Sequence, residues 1–249
     1  MKGGLRWIRA GRAGGLAGPV ALLAILSLFV VAPVSHAEDE QERPSLPPPK
    51  TWHATAYVRG RIGLRVIDYW SQGPDMRART LIAGHPITTL VRGDRYVVVD
   101  ELTGRGVDIR RSKQALAADR RRTRPFAFEL DELIADGGEK IEDVKIGSID
   151  AEIWRVTDGA GRRKIWLKAD DPRVPLRVET FNRAAADTLE LDYTNWIFDL
   201  ELPPQFFATP QGIAIERFEY EVFLERAGNG TAPNLPVLYP DLLHGSPAR

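Results

Sequence analysis

The stretch at residues 164–210, KIWLKADDPRVPLRVETFNRAAADTLELDYTNWIFDLELPPQFFATP, decides the fold. Within it, apolar side chains occupy every second position in three segments, Lys164–Lys168, Leu176–Phe181 and Thr188–Trp196. Such alternation predicts strands of a sheet that buries one face. The residues that share a face are Ile165 with Leu167, Leu176 with Val178, and Leu189 with Leu191 and Tyr193. The joints between the segments have turn or loop chemistry.

The order of small signals along this stretch is a pattern in its own right. A Trp-Leu strand is followed by an Asp-Pro turn, PLRVE at 175–179, DYTNW at 192–196 and LPPQFF at 202–207. This order resembles the LolA/LolB superfamily of periplasmic lipoprotein carriers, over about residues 51–225. The resemblance implies a mainly β fold with some α structure: a curved antiparallel half-barrel sheet with a short helical lid.

The remainder of that region is also rich in predicted strands. Short joints containing Gly, Pro and Asp connect them, which indicates an antiparallel meander rather than βαβ units. Ile213–Glu225 alternates as well, and its aromatic and β-branched residues favour a strand over a short helix. The other predicted strands are Trp52–Val58, Ile62–Trp70, Met76–Ala83, Pro86–Val91, Arg95–Asp100, Lys140–Ile146 and Ile149–Thr157.

Two short helices are predicted to interrupt the meander. Ser112 is a suitable N-cap for a helix over Lys113–Asp119. A second helix begins near Pro125 and is ended by a Gly-Gly pair. Its apolar stripe consists of Phe126, Leu130, Leu133 and Ile134, spaced i, i+4, i+7 and i+8. In the family that the chain resembles, such an insert lies in the open mouth of the sheet as a lid.

Residues 1–37 are predicted to be a signal peptide. A basic n-region precedes the apolar run Leu16–Val34, and Ser35-His36-Ala37 provides small residues at the −3 and −1 positions of a cleavage site. Cleavage after Ala37 predicts a periplasmic protein. The alternative is an uncleaved membrane anchor, which the Gly and Pro residues of the run and its length of slightly under about 20 residues disfavour.

Charge and cysteine content exclude several classes of protein. The chain has 34 basic and 34 acidic residues, and removal of the signal peptide leaves a net charge of −4. A domain with that charge is not expected to bind nucleic acid. Because the chain has no Cys, it has no disulfide, no catalytic thiol and no acylated N-terminal Cys. The exported protein is therefore expected to be soluble and not itself a lipoprotein.

The mature chain divides into three parts by composition. Residues 38–50 are acidic and then Pro-rich, which is typical of an extended linker. Residues 51–225 form the LolA-like half-barrel domain. Residues 226–249 are rich in Gly, Pro and Asn and are predicted to be a flexible tail.

One apolar face of the sheet is the predicted binding site. A curved sheet of this size has more concave surface than two short helices can cover, so the remainder is either a closed cavity or a pocket for an apolar ligand. The resemblance implies a carrier of lipid or of lipoprotein acyl chains, with a membrane receptor or transporter as a further partner. The predicted lipid-binding residues are Val66, Val97, Val99, Phe126, Leu130, Leu133, Ile165, Leu167, Leu176, Val178, Leu189, Leu191 and Tyr193.

Basic residues cluster around the predicted lid. They could contact phosphate head groups or an acidic partner surface, or they could belong to a solvated loop. The predicted contact residues are Arg110, Arg111, Arg120, Arg121, Arg122 and Arg124.

No motif in the sequence predicts an enzyme, a metal site or a cofactor. His53, His85 and His244 are far apart in the sequence, and no H-E-x-x-H or G-x-S-x-G motif occurs. Two other hypotheses remain open. The same fold can serve as an envelope-stress sensor that binds a protein partner, which predicts a filled inner face and an exposed apolar patch outside. An enzyme acting on envelope lipids predicts converging titratable groups in the pocket.

Overall fold

A single curved sheet dominates the fold. A computed structural model describes residues 50–61, 63–119 and 129–245, all of which lie in one compact unit, Ser45–Arg249. The strands are β1 (Thr51–Gly60), β2 (Gly63–Gln72), β3 (Asp75–Ile82), β4 (His85–Arg92), β5 (Arg95–Asp100), β6 (Arg105–Arg110), β7 (Glu139–Ile146), β8 (Ile149–Thr157), β9 (Gly161–Lys168), β10 (Asp171–Asn182), β11 (Asp187–Phe198) and β12 (Ala214–Phe218). The described strands pair in the order β12-β6-β5-β4-β3-β2-β1-β11-β10-β9-β8-β7. The predicted curved, mainly β fold with few helices is confirmed.

Neighbouring strands are antiparallel, with one exception. β12 runs parallel to β6 at one edge of the sheet. The tight hairpins follow from local chemistry: Ala83 and Gly84, between β3 and β4, have φ values of 50° and 84°. Two consecutive positive φ angles match the right-handed twist of the flanking strands, which explains the short turn.

Two predictions about this edge differ from the structure. The sequence Arg105–Arg110 forms a strand where none was predicted. The alternating segment 213–225 is divided between β12 and helix α3 (Tyr220–Gly228). Helical turns place Phe223 back against Phe218, with ring centroids 6.0 Å apart, so the same aromatic spacing serves two elements.

Four α-helices are described in all. α1 (Lys113–Asp119) has the predicted bounds and the predicted cap, since Ser112 Oγ accepts a hydrogen bond from Ala115 N at 2.9 Å. α2 spans Glu129–Ala135 and is followed by Gly137, whose φ of 82° favours glycine at the end of a helix. α3 precedes α4 (Pro240–His244), and a 3-10 turn spans Pro204–Phe207.

The two faces of the sheet bury different clusters. The inner face carries the main core, which includes Trp52, Ala56, Ile67 and Tyr96, and the helices pack against this face. The outer face carries a smaller cluster of Leu90, Val97 and Val99, covered by Ile213 and Ile215. β4 and β5 are therefore apolar on both sides.

The predicted signal peptide and nearly all of the predicted linker lie outside the described residues. Within the described part, no helix is long and apolar enough to cross a bilayer.

Candidate functional site

The inner face of the sheet is an apolar floor to which most of its strands contribute. Of the predicted lipid-binding residues, five lie on this floor: Ile165, Leu167, Val178, Leu191 and Tyr193. The register aligns them, because Val178 pairs with both Ile165 and Leu191 across the sheet. Leu130 and Leu133 of α2 cover the part of the floor formed by β8, β9 and β10.

The other predicted lining residues lie elsewhere. Val66 is 44% exposed on the outer face, and Val97 and Val99 belong to the outer cluster, so their assignment to the inner face is wrong. The reason is that β2 and β5 have apolar residues on adjacent positions, and alternation alone cannot say which set faces inward. Leu176 falls at a bulge in β10, and Leu189 is 39% exposed at the rim. Phe126 lies outside the described residues.

A second cover lies over the part of the floor that includes Tyr69 of β2 and Tyr96 of β5. It is the C-terminal segment, defined here as residues 229–245, which the sequence predicts to be part of a flexible tail. The structure differs from that prediction, because the segment packs onto the main core and Leu243 is fully buried. Its core-facing residues are Ala232, Leu235, Val237, Leu238, Tyr239, Leu242 and Leu243. The sequence does contain a signal for this packing, which the prediction missed: in residues 232–243, APNLPVLYPDLL, apolar side chains lie between the prolines.

A buried arginine anchors this segment. Arg111 is 3% exposed, and its guanidinium donates to Leu242 O at 2.6 Å, to Gly93 O at 2.8 Å and to the Asp119 carboxylate. It therefore ties α4, the β4–β5 turn and α1 together. The prediction that Arg111 contacts a head group is wrong, because its guanidinium is buried and already hydrogen-bonded inside the protein.

The remaining predicted basic contacts divide into two groups. Arg110 is exposed but pairs with Asp94 and Glu219, at 3.3 Å in each case. The other four residues, Arg120, Arg121, Arg122 and Arg124, lie outside the described residues. Their contact with head groups or a partner stays a prediction.

Further hydrogen bonds fix the C-terminal segment. Ser112 N donates to Leu243 O at 3.0 Å, and Ser112 Oγ donates to His244 O at 2.7 Å. Near the middle of the segment, Tyr239 N donates to Tyr96 OH at 3.2 Å, and the Tyr239 ring packs edge-on against Tyr69, with the ring centroids 5.9 Å apart. The segment itself contains no strand, so it lies on the sheet without extending it.

Two tyrosines at the contact between this segment and the sheet stay uncharged at neutral pH. Burial raises the pKa of Tyr96 to about 12 and raises the pKa of Tyr239 well above its ordinary value. A covered surface with neutral phenols is compatible with an apolar ligand.

An open cleft of about 840 Å³ lies at one end of the covered floor. Its walls come from the starts of β4, β6 and β12, the β5–β6 turn and residues 231–235. The polar lining includes His85, Asp100, Thr103, Arg105 and Asn234, and the apolar lining includes Leu235. The sequence predicted no site here, because His85, Asp100 and Arg105 come together only through strand pairing.

The centre of the cleft is an aspartate–histidine pair. His85 Nδ1 lies 2.7 Å from Asp100 Oδ2, and Asp100 Oδ1 accepts hydrogen bonds from Leu102 N and Thr103 N. Burial opposes ionisation of Asp100, but these hydrogen bonds, led by that from His85, outweigh it and lower the pKa of the carboxyl. Because an ionised carboxylate only accepts, Nδ1 carries the proton and Nε2 is left for a ligand.

The described residues contain no group of three or more His, Asp or Glu side chains arranged to hold a metal ion.

Comparisons with known proteins concern the fold. No family model and no curated protein matches this chain. The solved structures similar to it include an uncharacterised conserved protein from Thermus thermophilus, at 13% identity and a TM-score of 0.49, with 68% of this chain and 91% of that chain covered. A LolA superfamily protein from Nitrosomonas europaea is similar at 12% identity and a TM-score of 0.33, with 66% and 92% covered.

A third similar structure is a complex of two proteins. It is MucA/MucB from Pseudomonas aeruginosa, at 12% identity and a TM-score of 0.40, with 65% of this chain and 56% of that chain covered. The predicted resemblance to LolA-like proteins agrees with these findings at the level of fold. At such identities the similarity extends no further than fold, so function is argued below from the contacts of this chain.

Proposed function

We propose that this chain is an extracytoplasmic carrier that holds the acyl chains of a lipid or lipoprotein against the inner face of its sheet. The observation that carries the proposal is the nature of the second cover. The C-terminal segment lies on an apolar floor through side chains such as Leu235, Tyr239 and Leu243, and it contributes no strand to the sheet. Such a segment can leave without breaking the strand ladder, and it occupies the space that an acyl chain requires.

The energies on the two sides of such an exchange are similar. An acyl chain of about 16 carbons gains roughly 12 kcal/mol on burial, at about 0.8 kcal/mol per CH₂. Release of five apolar side chains of the segment costs roughly 8–15 kcal/mol, at about 1.5–3 kcal/mol each. Because these terms nearly offset each other, the loaded and empty states differ little in free energy, and cargo can be both taken up and given away. The released segment also regains conformational entropy, which favours uptake.

Delivery follows from the same balance. A membrane receptor or acceptor that binds the cargo allows the C-terminal segment to return to the inner face. The signal peptide predicted at residues 1–37 assigns this exchange to the periplasm, where an acyl chain needs shielding from water.

The proposal is tested with an apolar fluorescent probe whose emission shifts to the blue on burial. The protein should bind the probe, and long-chain lipid should displace it. The Leu191→Asp variant should bind at least about tenfold more weakly, because an unpaired charge in an apolar site costs several kcal/mol. Val66→Asp is the matched control, since Val66 is exposed on the outer face and should leave binding unchanged.

Circular dichroism of both variants separates loss of the site from loss of the fold. If a folded Leu191→Asp variant binds the probe as tightly as the parent, the inner face is only a core and the carrier function is rejected.

A second candidate function is a protein-binding sensor or interaction domain. The outer face carries exposed apolar side chains, since Tyr57 pairs with Val66 across the sheet and Leu64 and Leu81 are 62% and 64% exposed. If these residues bind a partner, Val66→Asp should abolish association with that partner, whereas Leu191→Asp should preserve it in a folded protein.

A further inference from the structure

We propose that the cleft containing His85, Asp100 and Arg105 binds the phosphate head group of an acylated ligand, an assignment that rests on the proposed carrier function. Arg105 begins the basic cluster that flanks the predicted lid, but neither Arg110 nor Arg111, the described residues predicted to contact head groups, lines the cleft. Its residues come from β4, β5 and β6, which strand pairing brings side by side: Asp100 lies directly opposite Arg105 in the register.

Arg105 supplies the charge for such a ligand. Within the part of the chain that the structure describes, its guanidinium forms no ion pair and no hydrogen bond, and it lines the cleft. The acidic groups around it are already engaged. Glu216 pairs with Arg226 at 2.8 Å, and Asp100 accepts from His85 and from two backbone amides. Among the described residues that line the cleft, Arg105 is therefore the charged group whose hydrogen bonds are left for a ligand.

His85 supplies a second, oriented group. The hydrogen bond to Asp100 fixes the ring through Nδ1–H and leaves Nε2 as an acceptor, which can meet the hydroxyl of a singly protonated phosphate. Asp100 is itself held, because its other oxygen accepts from the amides of the β5–β6 turn. Asp100 is thus a positioning residue, and Arg105 and His85 are the groups that contact the ligand.

The cleft is also continuous with the covered apolar floor. Leu235 lines the cleft and at the same time packs against the main core under the C-terminal segment. A polar head in the cleft therefore leads directly to the surface from which an acyl chain would displace that segment. Such a site fits an amphipathic anion better than a small free ion.

Phosphate is the anion that the lining fits best. Arginine binds phosphate through two parallel hydrogen bonds. The side-chain amide of Asn234 provides a further donor around the same space. An ionised carboxylate has no proton to donate to His85 Nε2, whereas a singly protonated phosphate donates its hydroxyl there and keeps two oxygens for Arg105.

The experiment compares ligands that share one chain and differ in the head. Affinities of the full chain for dodecyl phosphate, dodecanoate and dodecanol are measured by titration calorimetry below their micelle-forming concentrations, together with inorganic phosphate alone. Dodecyl phosphate should bind at least about tenfold more tightly than dodecanol, since a hydrogen bond to a charged group contributes about 1.5–3 kcal/mol. Arg105→Gln should bring this ratio close to one, and His85→Ala should lower it by a smaller factor.

Arg92→Gln is the matched control, because Arg92 is exposed at the opposite end of β4 and carries the same charge. It should keep the ratio of the parent. Equal affinities for dodecyl phosphate and dodecanol, or a ratio that survives Arg105→Gln in a folded protein, would overturn the head-group site. A ratio that favours dodecanoate equally would overturn the choice of phosphate.

The remaining outcomes separate this inference from the carrier function. Failure of all three chain ligands to bind rejects the carrier function. If inorganic phosphate nevertheless binds in a manner that requires Arg105, the cleft is a site for free phosphate and the head-group assignment is rejected as well. Tight binding of dodecanol without any preference for dodecyl phosphate leaves the carrier function intact and rejects only the head-group site.

Discussion

The two covers of the inner face are built from the same kind of contact but are held in different ways. Both α2 and the C-terminal segment place fully buried leucines, Leu133 and Leu243, on one continuous core. Around α2 the described polar contacts include ion pairs between half-buried side chains, from Arg163 to Glu132 at 3.8 Å and to Asp136 at 3.3 Å. The C-terminal segment is anchored by the buried guanidinium of Arg111.

The difference teaches where each cover can open. Ion pairs open to solvent typically contribute less than about 1 kcal/mol, so these two pairs hold α2 less firmly than a fully buried pair would. The buried anchor of the C-terminal segment sits at its far end, at Leu242, whereas residues 231–235 border the open cleft. The segment is therefore expected to lift first beside the cleft and to remain fixed at α4.

The largest expected effect comes from removing the anchor. Arg111→Ala removes the buried guanidinium that donates to the Asp119 carboxylate and to the carbonyls of Gly93 and Leu242. Loss of one partner of such a buried ion pair costs about 3–5 kcal/mol. The free energy of unfolding, measured by urea denaturation, should fall by about that amount.

The neighbouring arginine is the control for this effect. Arg110 is exposed, and Arg110→Ala should change the free energy of unfolding by less than about 1 kcal/mol. Equal losses in the two variants would mean that Arg111 does not act as a buried anchor.

This contrast also marks what the sequence could predict about the fold. Strands β5 and β8 and helix α1 have the predicted bounds, because alternation and a Ser cap are local signals. β6 was missed because its alternating apolar pair, Val107 and Ile109, is short and follows Gly104 and Gly106, which suggest a turn; its pairing with β5 supplies the stability. Arg110 and Arg111 look alike in sequence, and only the packing of α4 separates an exposed charge from a buried one.

An intermediate effect should distinguish the two covers directly. Leu133→Ala and Leu243→Ala delete the same atoms from fully buried positions, and each should lower the free energy of unfolding by about 3 kcal/mol. Hydrogen exchange should nevertheless differ. Leu243→Ala should reduce the protection of two amides: that of Ser112, which donates to the C-terminal segment, and that of Tyr239, which donates from the segment to Tyr96. Leu133→Ala should leave both unchanged. The same loss of protection in both variants would show that the covers open as one unit.

The candidate sites could be predicted only in part, for a related reason. Ile165, Leu167, Val178, Leu191 and Tyr193 were found because one-sided strands reveal their buried face. In β5 the sequence RYVVVD is apolar on both faces, and the direction of Val97 and Val99 depends on Ile213 and Ile215, which lie far away in the chain. The cleft depends on the register of β4, β5 and β6, which a single sequence does not reveal.

The smallest expected effect concerns pH and the end of the C-terminal segment. Burial lowers the pKa of His244, although nearby Asp241 acts in the opposite direction. Neutral His244 Nδ1 lies 2.9 Å from Tyr220 OH and accepts its hydrogen bond, which the protonated ring cannot do. As the pH falls below about 6.5, the ordinary histidine value, the unfolded chain therefore binds a proton before the folded chain does, and this contribution to stability is lost. Because the ring is partly exposed, the loss should stay below about 1 kcal/mol.

Hydrogen exchange measures this effect at pH 5.5 and pH 7.5, which lie about one unit either side of the ordinary histidine value. Protection factors of the C-terminal segment should be lower at pH 5.5 than at pH 7.5 in the parent and in the control variant His53→Gln. In His244→Gln they should be independent of pH over this range, and an undiminished pH response in that variant would remove His244 from the explanation.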